Sequence, residues 1–119
     1  MATPLHILFV CGESKRRSAT AEKIFTTDRR MTVRAVGLGE TVPRRIRDED
    51  LRWAHLILAM ERKYIVRIRT AFRHLDELPP IMELGIPDKF IFMNPTLIER
   101  LREGVEEALE TYRLEHPAE

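Results

Sequence analysis

Residues 5–25 read LHILFVCGESKRRSATAEKIF. The stretch opens with Leu5, Ile7, Leu8, Phe9 and Val10, apolar at nearly every position, as a strand covered on both faces tends to be. Cys11 follows at once. Six residues intervene before Ser18, where a helix is expected to begin, with Ala21, Ile24 and Phe25 on one face and an end near Arg29. A strand, a tight loop and a helix N-terminus in this order build an anion site. Backbone N–H groups of the loop converge, and the helix dipole adds roughly half a positive charge. Cys11 and Arg17 are spaced C-x5-R, so both are expected to face one tetrahedral anion, cradled by Gly12, Glu13, Ser14, Lys15, Arg16 and Arg17.

The rest of the chain fits around that unit. Further apolar runs at residues 31–36, 55–60 and 81–84 read as strands, the second alternating enough to suit an edge. Residues 48–54 read as a short helix. Tyr64, Ile65, Ile68, Ala71 and Phe72 form a helical stripe. A last helix opens with Asn94 as N-cap and Pro95 at its first position, and carries Leu97, Ile98, Leu101, Val105, Ala108, Leu109 and Tyr112. Strands alternating with helices predict an α/β fold: a parallel sheet with helices on both faces, three layers in one domain spanning residues 1–119. In such sheets ligands bind outside the carboxyl ends of the strands, where Cys11 stands.

Composition narrows the function classes. The chain has 119 residues, 44% hydrophobic and 33% charged, which suits one globular domain. Twenty Lys plus Arg against 19 Asp plus Glu leave a net charge of +1, which does not suggest a nucleic-acid binder. No apolar run approaches the roughly 20 residues of a membrane span. The N-terminus does not read as a signal peptide, so the cytoplasm is the expected location. One cysteine excludes an internal disulfide and an all-cysteine metal site, and His6, His55, His74 and His116 have no metal-ligand spacing. The bland reading of a lone cysteine is a small core hydrophobe. Against it stands the chemistry of the loop. A helix N-terminus and a neighbouring cation are expected to lower the thiol pKa. Arg17 offers a planar fork for two phosphoryl oxygens, and Ser18 a hydroxyl for the sulfur.

FVCGESKRRSATAEKIF resembles the signature of the low-molecular-weight protein tyrosine phosphatases, in which V-C is followed by x5-R-S and a helix containing A-E. WAHLILAMERKY at residues 53–64 and IPDKFIFMNPTLIERL at residues 86–101 resemble the short bacterial branch of predicted protein tyrosine phosphatases. The resemblance implies a four-stranded parallel sheet and a phosphocysteine mechanism without metal or other cofactor. It also implies a general acid, for which Asp88 is the candidate, and an aromatic contact for a phosphotyrosine ring, for which the acid loop offers Phe90 first and Phe92 second. The catalytic set would be Cys11, Arg17, Ser18 and Asp88, and the substrate a phosphorylated protein or a small phosphomonoester. Several positions depart from the family pattern. Glu13 puts a carboxylate beside a dianion site, Ser14 replaces the usual Asn, and Arg16 stands where some members keep a second Cys. These departures leave open a phosphate- or phosphoprotein-binding module without turnover, and a one-cysteine arsenate reductase served by an external thiol. The run Arg44-Arg45-Ile46-Arg47 reads as a solvated face or as a steering patch for an acidic substrate.

Overall fold

Ile7, Leu8, Phe9 and Val10 are each fully buried, and their strand, β1 (Leu5–Cys11), lies in the middle of the sheet with a partner on either side. The structure, a computed structural model, describes residues 3–12 and 16–117. After β1 come α1 (Arg16–Phe25), β2 (Met31–Gly37), α2 (Asp48–Trp53), β3 (Leu56–Ala59), α3 (Arg62–Ala71), β4 (Ile81–Glu83) and α4 (Pro95–Glu115). The four strands pair in parallel in the order β2-β1-β3-β4. The chain leaves β1 toward β2 and then crosses back to β3 on the other side. The topological switch therefore falls beside β1, and ligand sites in open parallel sheets form at such a switch.

Each element shows its local cause. α1 begins at Arg16, one turn's half earlier than Ser18, and stops at Phe25 rather than near Arg29. The Asp28 N–H bonds the Phe25 carbonyl at 3.1 Å, and the Asp28 carboxylate accepts from the Arg30 N–H at 2.9 Å, which turns the chain toward β2. α2 carries Asp48, Glu49 and Asp50 in its first turn, where negative charge suits the helix dipole. The Asp50 carboxylate there accepts from the Arg47 N–H at 3.0 Å. At the start of α4 the Asn94 side chain accepts from the N–H groups of Thr96 and Leu97, with Pro95 at the first position. α4 buries Leu97, Leu101, Val105, Ala108 and Leu109, and the third and fourth strands are shorter than the apolar runs that announce them. No helix among the described residues is long and apolar enough to cross a membrane.

Candidate active site

The carboxyl ends of the strands converge on Cys11, the last residue of β1. Its sulfur lies 3.0 Å from the Ser18 hydroxyl, on the first turn of α1, and is fully buried. From the β2 side, the Leu38 N–H reaches the carbonyls of Cys11 at 3.0 Å and Gly12 at 3.1 Å. The sulfur thus sits between a helix start and a strand end that backbone hydrogen bonds pin to the chain after β2. Burial pushes the Cys11 thiol up from its ordinary value, and the nearby Asp88 carboxylate adds to this. The Ser18 hydroxyl, the Ser18 N–H and the Arg17 cation pull the other way without reversing it. The expected lowered thiol is therefore corrected: desolvation of the thiolate outweighs the Ser18 hydrogen bonds and the guanidinium.

Arg17 is the largest of the fully buried side chains, and its cation is held on several sides. Nη1 donates to Glu61 Oε2 at 2.7 Å and to the Ile86 carbonyl at 2.7 Å, while Nη2 donates to the Tyr64 hydroxyl at 2.9 Å. Nε is buried with no hydrogen-bond acceptor among the described residues; Asp88 Oδ1 stands 3.7 Å away, too far for a bond. The guanidinium does not offer both Nη atoms outward. Nη1 spends both its hydrogens on the protein and Nη2 one of its two, which leaves the edge that carries Nε as the side with donors to spare among the described residues. Burial disfavours charge on Glu61, but hydrogen bonds from Arg17 and Tyr64 outweigh it and hold the carboxyl below the usual range.

Glu61 and Tyr64 are site residues that sequence reasoning does not single out. Glu61 follows β3 by two residues, and the rule that locates Cys11 at a strand end would have pointed to it equally. Tyr64 reads as one position of an apolar stripe. It is indeed buried, but its hydroxyl reaches the guanidinium, and its ring rests on Gly12. A Cβ built on Gly12 would lie 2.6 Å from the Tyr64 oxygen and 2.9 Å from two ring carbons, so only glycine fits.

The loop after β4 brings the remaining candidates. Gly85 takes a positive φ of 66°, a turn that side chains resist, and it is followed by the Ile86 N–H bonding the Met60 carbonyl at 2.8 Å. Farther along, the Met93 N–H bonds the Thr20 hydroxyl of α1 at 3.0 Å. Tied at both ends, the loop presents Asp88 beside Arg17 with its side chain 43% exposed. Phe90 is different. Its ring is 8% exposed, packed in the core beneath the Arg100 guanidinium, so it is not open to a substrate ring. The exposed aromatic of this loop is Phe92, at 48%. Arg16 stands exposed at the start of α1, and Glu13, Ser14 and Lys15 lie outside the described residues. No cluster of three or more His, Cys, Asp or Glu side chains suited to a metal ion occurs among the described residues.

No family model matches the chain, and no curated protein matches it in sequence. Solved structures do match it in shape. A low-molecular-weight protein tyrosine phosphatase from Streptococcus pyogenes superposes with a TM-score of 0.72 at 16% identity, covering 96% of this chain and 99% of that one. A structure described as a protein tyrosine phosphatase matches with a TM-score of 0.64 at 21% identity, over 95% of this chain and 97% of that one. The YwlE arginine phosphatase from Geobacillus stearothermophilus matches with a TM-score of 0.62 at 20% identity, over 98% and 99%. Over nearly its whole length, the chain has the fold of the low-molecular-weight protein tyrosine phosphatases.

Proposed function

We propose that the protein is a cysteine-dependent phosphomonoester hydrolase working through a phosphocysteine, with phosphotyrosine in proteins as its substrate class. The observation that supports it most is the grouping of Cys11 Sγ and Ser18 Oγ at 3.0 Å with a buried Arg17 whose Nε faces Asp88 and has no acceptor among the described residues. In the first step the Cys11 thiolate attacks phosphorus and the bond from phosphorus to the leaving oxygen breaks. That oxygen takes the proton of the Asp88 carboxyl. In the second step water attacks the phosphocysteine and gives a proton to the Asp88 carboxylate. The P–S bond breaks, and thiolate and inorganic phosphate are released. Arg17 Nε and the loop N–H groups hold the phosphoryl oxygens, and the Ser18 hydroxyl steadies the sulfide as attacker and leaving group.

The proton count explains how a raised thiol is compatible with this chemistry. Attack needs a thiolate beside a neutral Asp88, a form reached by moving one proton from sulfur to carboxylate with none exchanged with solvent. Protonating Asp88 removes a charge that opposes the thiolate, so acid and nucleophile become competent together. Phe92, exposed on the loop that carries Asp88, is the aromatic available to an aryl ring. Two observations favour a second reading, phosphate binding without turnover: the raised thiol and the Glu61 carboxylate on Arg17 Nη1.

One experiment separates the two. Wild-type protein should turn over a small aryl phosphate and form a trappable phosphocysteine. Cys11→Ser should fall to background, and Arg17→Ala should lose about 10²-fold or more, as for loss of a main oxyanion donor. Hydrolysis by Cys11→Ser at the wild-type rate overturns the proposal. Tight phosphate or vanadate binding with no turnover by wild type selects the binding module.

A further inference from the structure

The run from Arg44 to Arg47 is fixed beside the nucleophile rather than loose on the surface. Gly37, at the end of β2, is the register partner of Cys11. On its other side Gly37 forms a parallel bridge with Arg45: its N–H bonds the Arg44 carbonyl at 2.9 Å, and its carbonyl accepts from the Ile46 N–H at 3.0 Å. Arg45 therefore stands two strand spacings from Cys11 along the sheet edge, roughly 10 Å. Beside it opens a groove of about 480 Å³, floored by Leu38, Ile46 and Phe72 and walled by Arg45, Arg47 and Arg67. Among the described residues, Asp48 is the one acidic residue in its lining. Both Asp48 oxygens lie 2.9 Å from His74 Nε2, so that carboxylate is turned to a partner. The nearby Glu49 stands 3.6 Å from Arg34 and 3.9 Å from Arg47. With Asp48 turned to His74 and Glu49 shared between Arg34 and Arg47, the guanidiniums of Arg45 and Arg47 leave this side of the groove positive, in a chain whose net charge is only +1.

We propose that this groove receives the acidic stretch of a phosphoprotein substrate, with Asp or Glu side chains about three residues from the phosphorylated one. The proposal rests on Cys11 being the nucleophile. The spacing follows from geometry, since an extended chain advances roughly 3.3 Å per residue and Arg45 lies roughly 10 Å away. Leu38 joins the two sites: its N–H bonds the Cys11 and Gly12 carbonyls, while its side chain helps floor the groove. A peptide whose phosphoryl group enters the Cys11 loop thus meets apolar floor first and guanidinium next. Several exposed charge pairs acting together raise encounter rate and affinity, and salt weakens both.

The test compares kcat/KM for matched phosphotyrosine peptides carrying acidic, neutral or basic residues two to four positions from the phosphotyrosine. A small aryl phosphate serves as reference. The wild type should prefer the acidic peptide over the neutral one by about tenfold at low salt, falling toward parity as salt rises. Arg45→Glu/Arg47→Glu should erase or reverse the preference and leave aryl phosphate turnover within about twofold, and Arg45→Gln/Arg47→Gln should erase it without reversal. Equal kcat/KM for acidic and neutral peptides, with aryl phosphate hydrolysed, overturns the groove and leaves the hydrolase reading standing. No hydrolysis of aryl phosphate by wild type removes the reading beneath it. Inhibition by a single-stranded oligonucleotide, with no acidic-peptide preference, assigns the groove to nucleic acid and overturns the proposal.

Discussion

At the level of single residues, the chemistry of the site turns on where one proton resides. Burial favours the Cys11 thiol, Ser18 and Arg17 favour the thiolate, and the Asp88 carboxylate opposes it. Removing one influence at a time should move the titration in opposite directions. Asp88→Asn should lower the thiol pKa, and Ser18→Ala should raise it. The chain has one cysteine, so far-ultraviolet thiolate absorbance followed against pH reads this directly. A midpoint unmoved by Asp88→Asn would mean that the carboxylate does not reach the sulfur. The residues that the C-x5-R spacing singles out, Cys11, Arg17 and Ser18, do lie together. Their spacing is set by one strand end and one helix start, both local. Glu61 and Tyr64 come from a separate unit of the chain, and no local pattern announces that they hold the guanidinium.

Among the elements, the N-terminus of α4 links stability to the acid loop. Asn94 accepts from the N–H groups of Thr96 and Leu97, and the residue before it, Met93, has a φ of 62°, unusual for a side chain. The cap and the Thr20 bond to the Met93 N–H hold the end of the loop that presents Asp88. Asn94→Ala should cost about 1 kcal/mol in urea unfolding, and Asn94→Asp should recover most of it. Equal midpoints for Asn94→Ala and wild type would show that the cap contributes nothing. This helix was the most legible element, because cap, proline and apolar period all agree within one continuous stretch. β4, by contrast, is a three-residue edge strand, and it takes its place from pairing with β3 rather than from its own sequence.

For the molecule as a whole, the two ends of the sheet do different work. The carboxyl ends gather the charged site. The opposite end is closed by a stack: the His6 ring lies 4.6 Å from both Trp53 and His55, and the Arg34 guanidinium covers Trp53 at 4.2 Å. His55 Nδ1 accepts from the His6 N–H at 2.9 Å, a role open only to the unprotonated nitrogen. Desolvation, with the neighbouring His6 charge, lowers the His55 pKa below its ordinary value. A histidine whose folded pKa lies below its unfolded one contributes stability above the unfolded value, about 6.5, and loses it as pH falls through the folded one. The urea midpoint should therefore drop between pH 7.5 and 5, and His55→Asn, which keeps an acceptor without a titrating ring, should flatten that drop. Equal pH dependence in the two proteins would assign the acid sensitivity elsewhere.

Alternation of apolar runs with helical stripes determined the α/β class, the parallel sheet and the place of Cys11 at a strand end. Those features follow from side-chain period and from the short-range steric rules of strands, helices and turns. Tertiary structure alone decided which donors of Arg17 remain, that Phe90 turns into the core while Phe92 faces out, and that the thiol is raised rather than lowered. Each of those depends on desolvation and on partners from distant segments, and neither quantity exists until the chain has closed around the site.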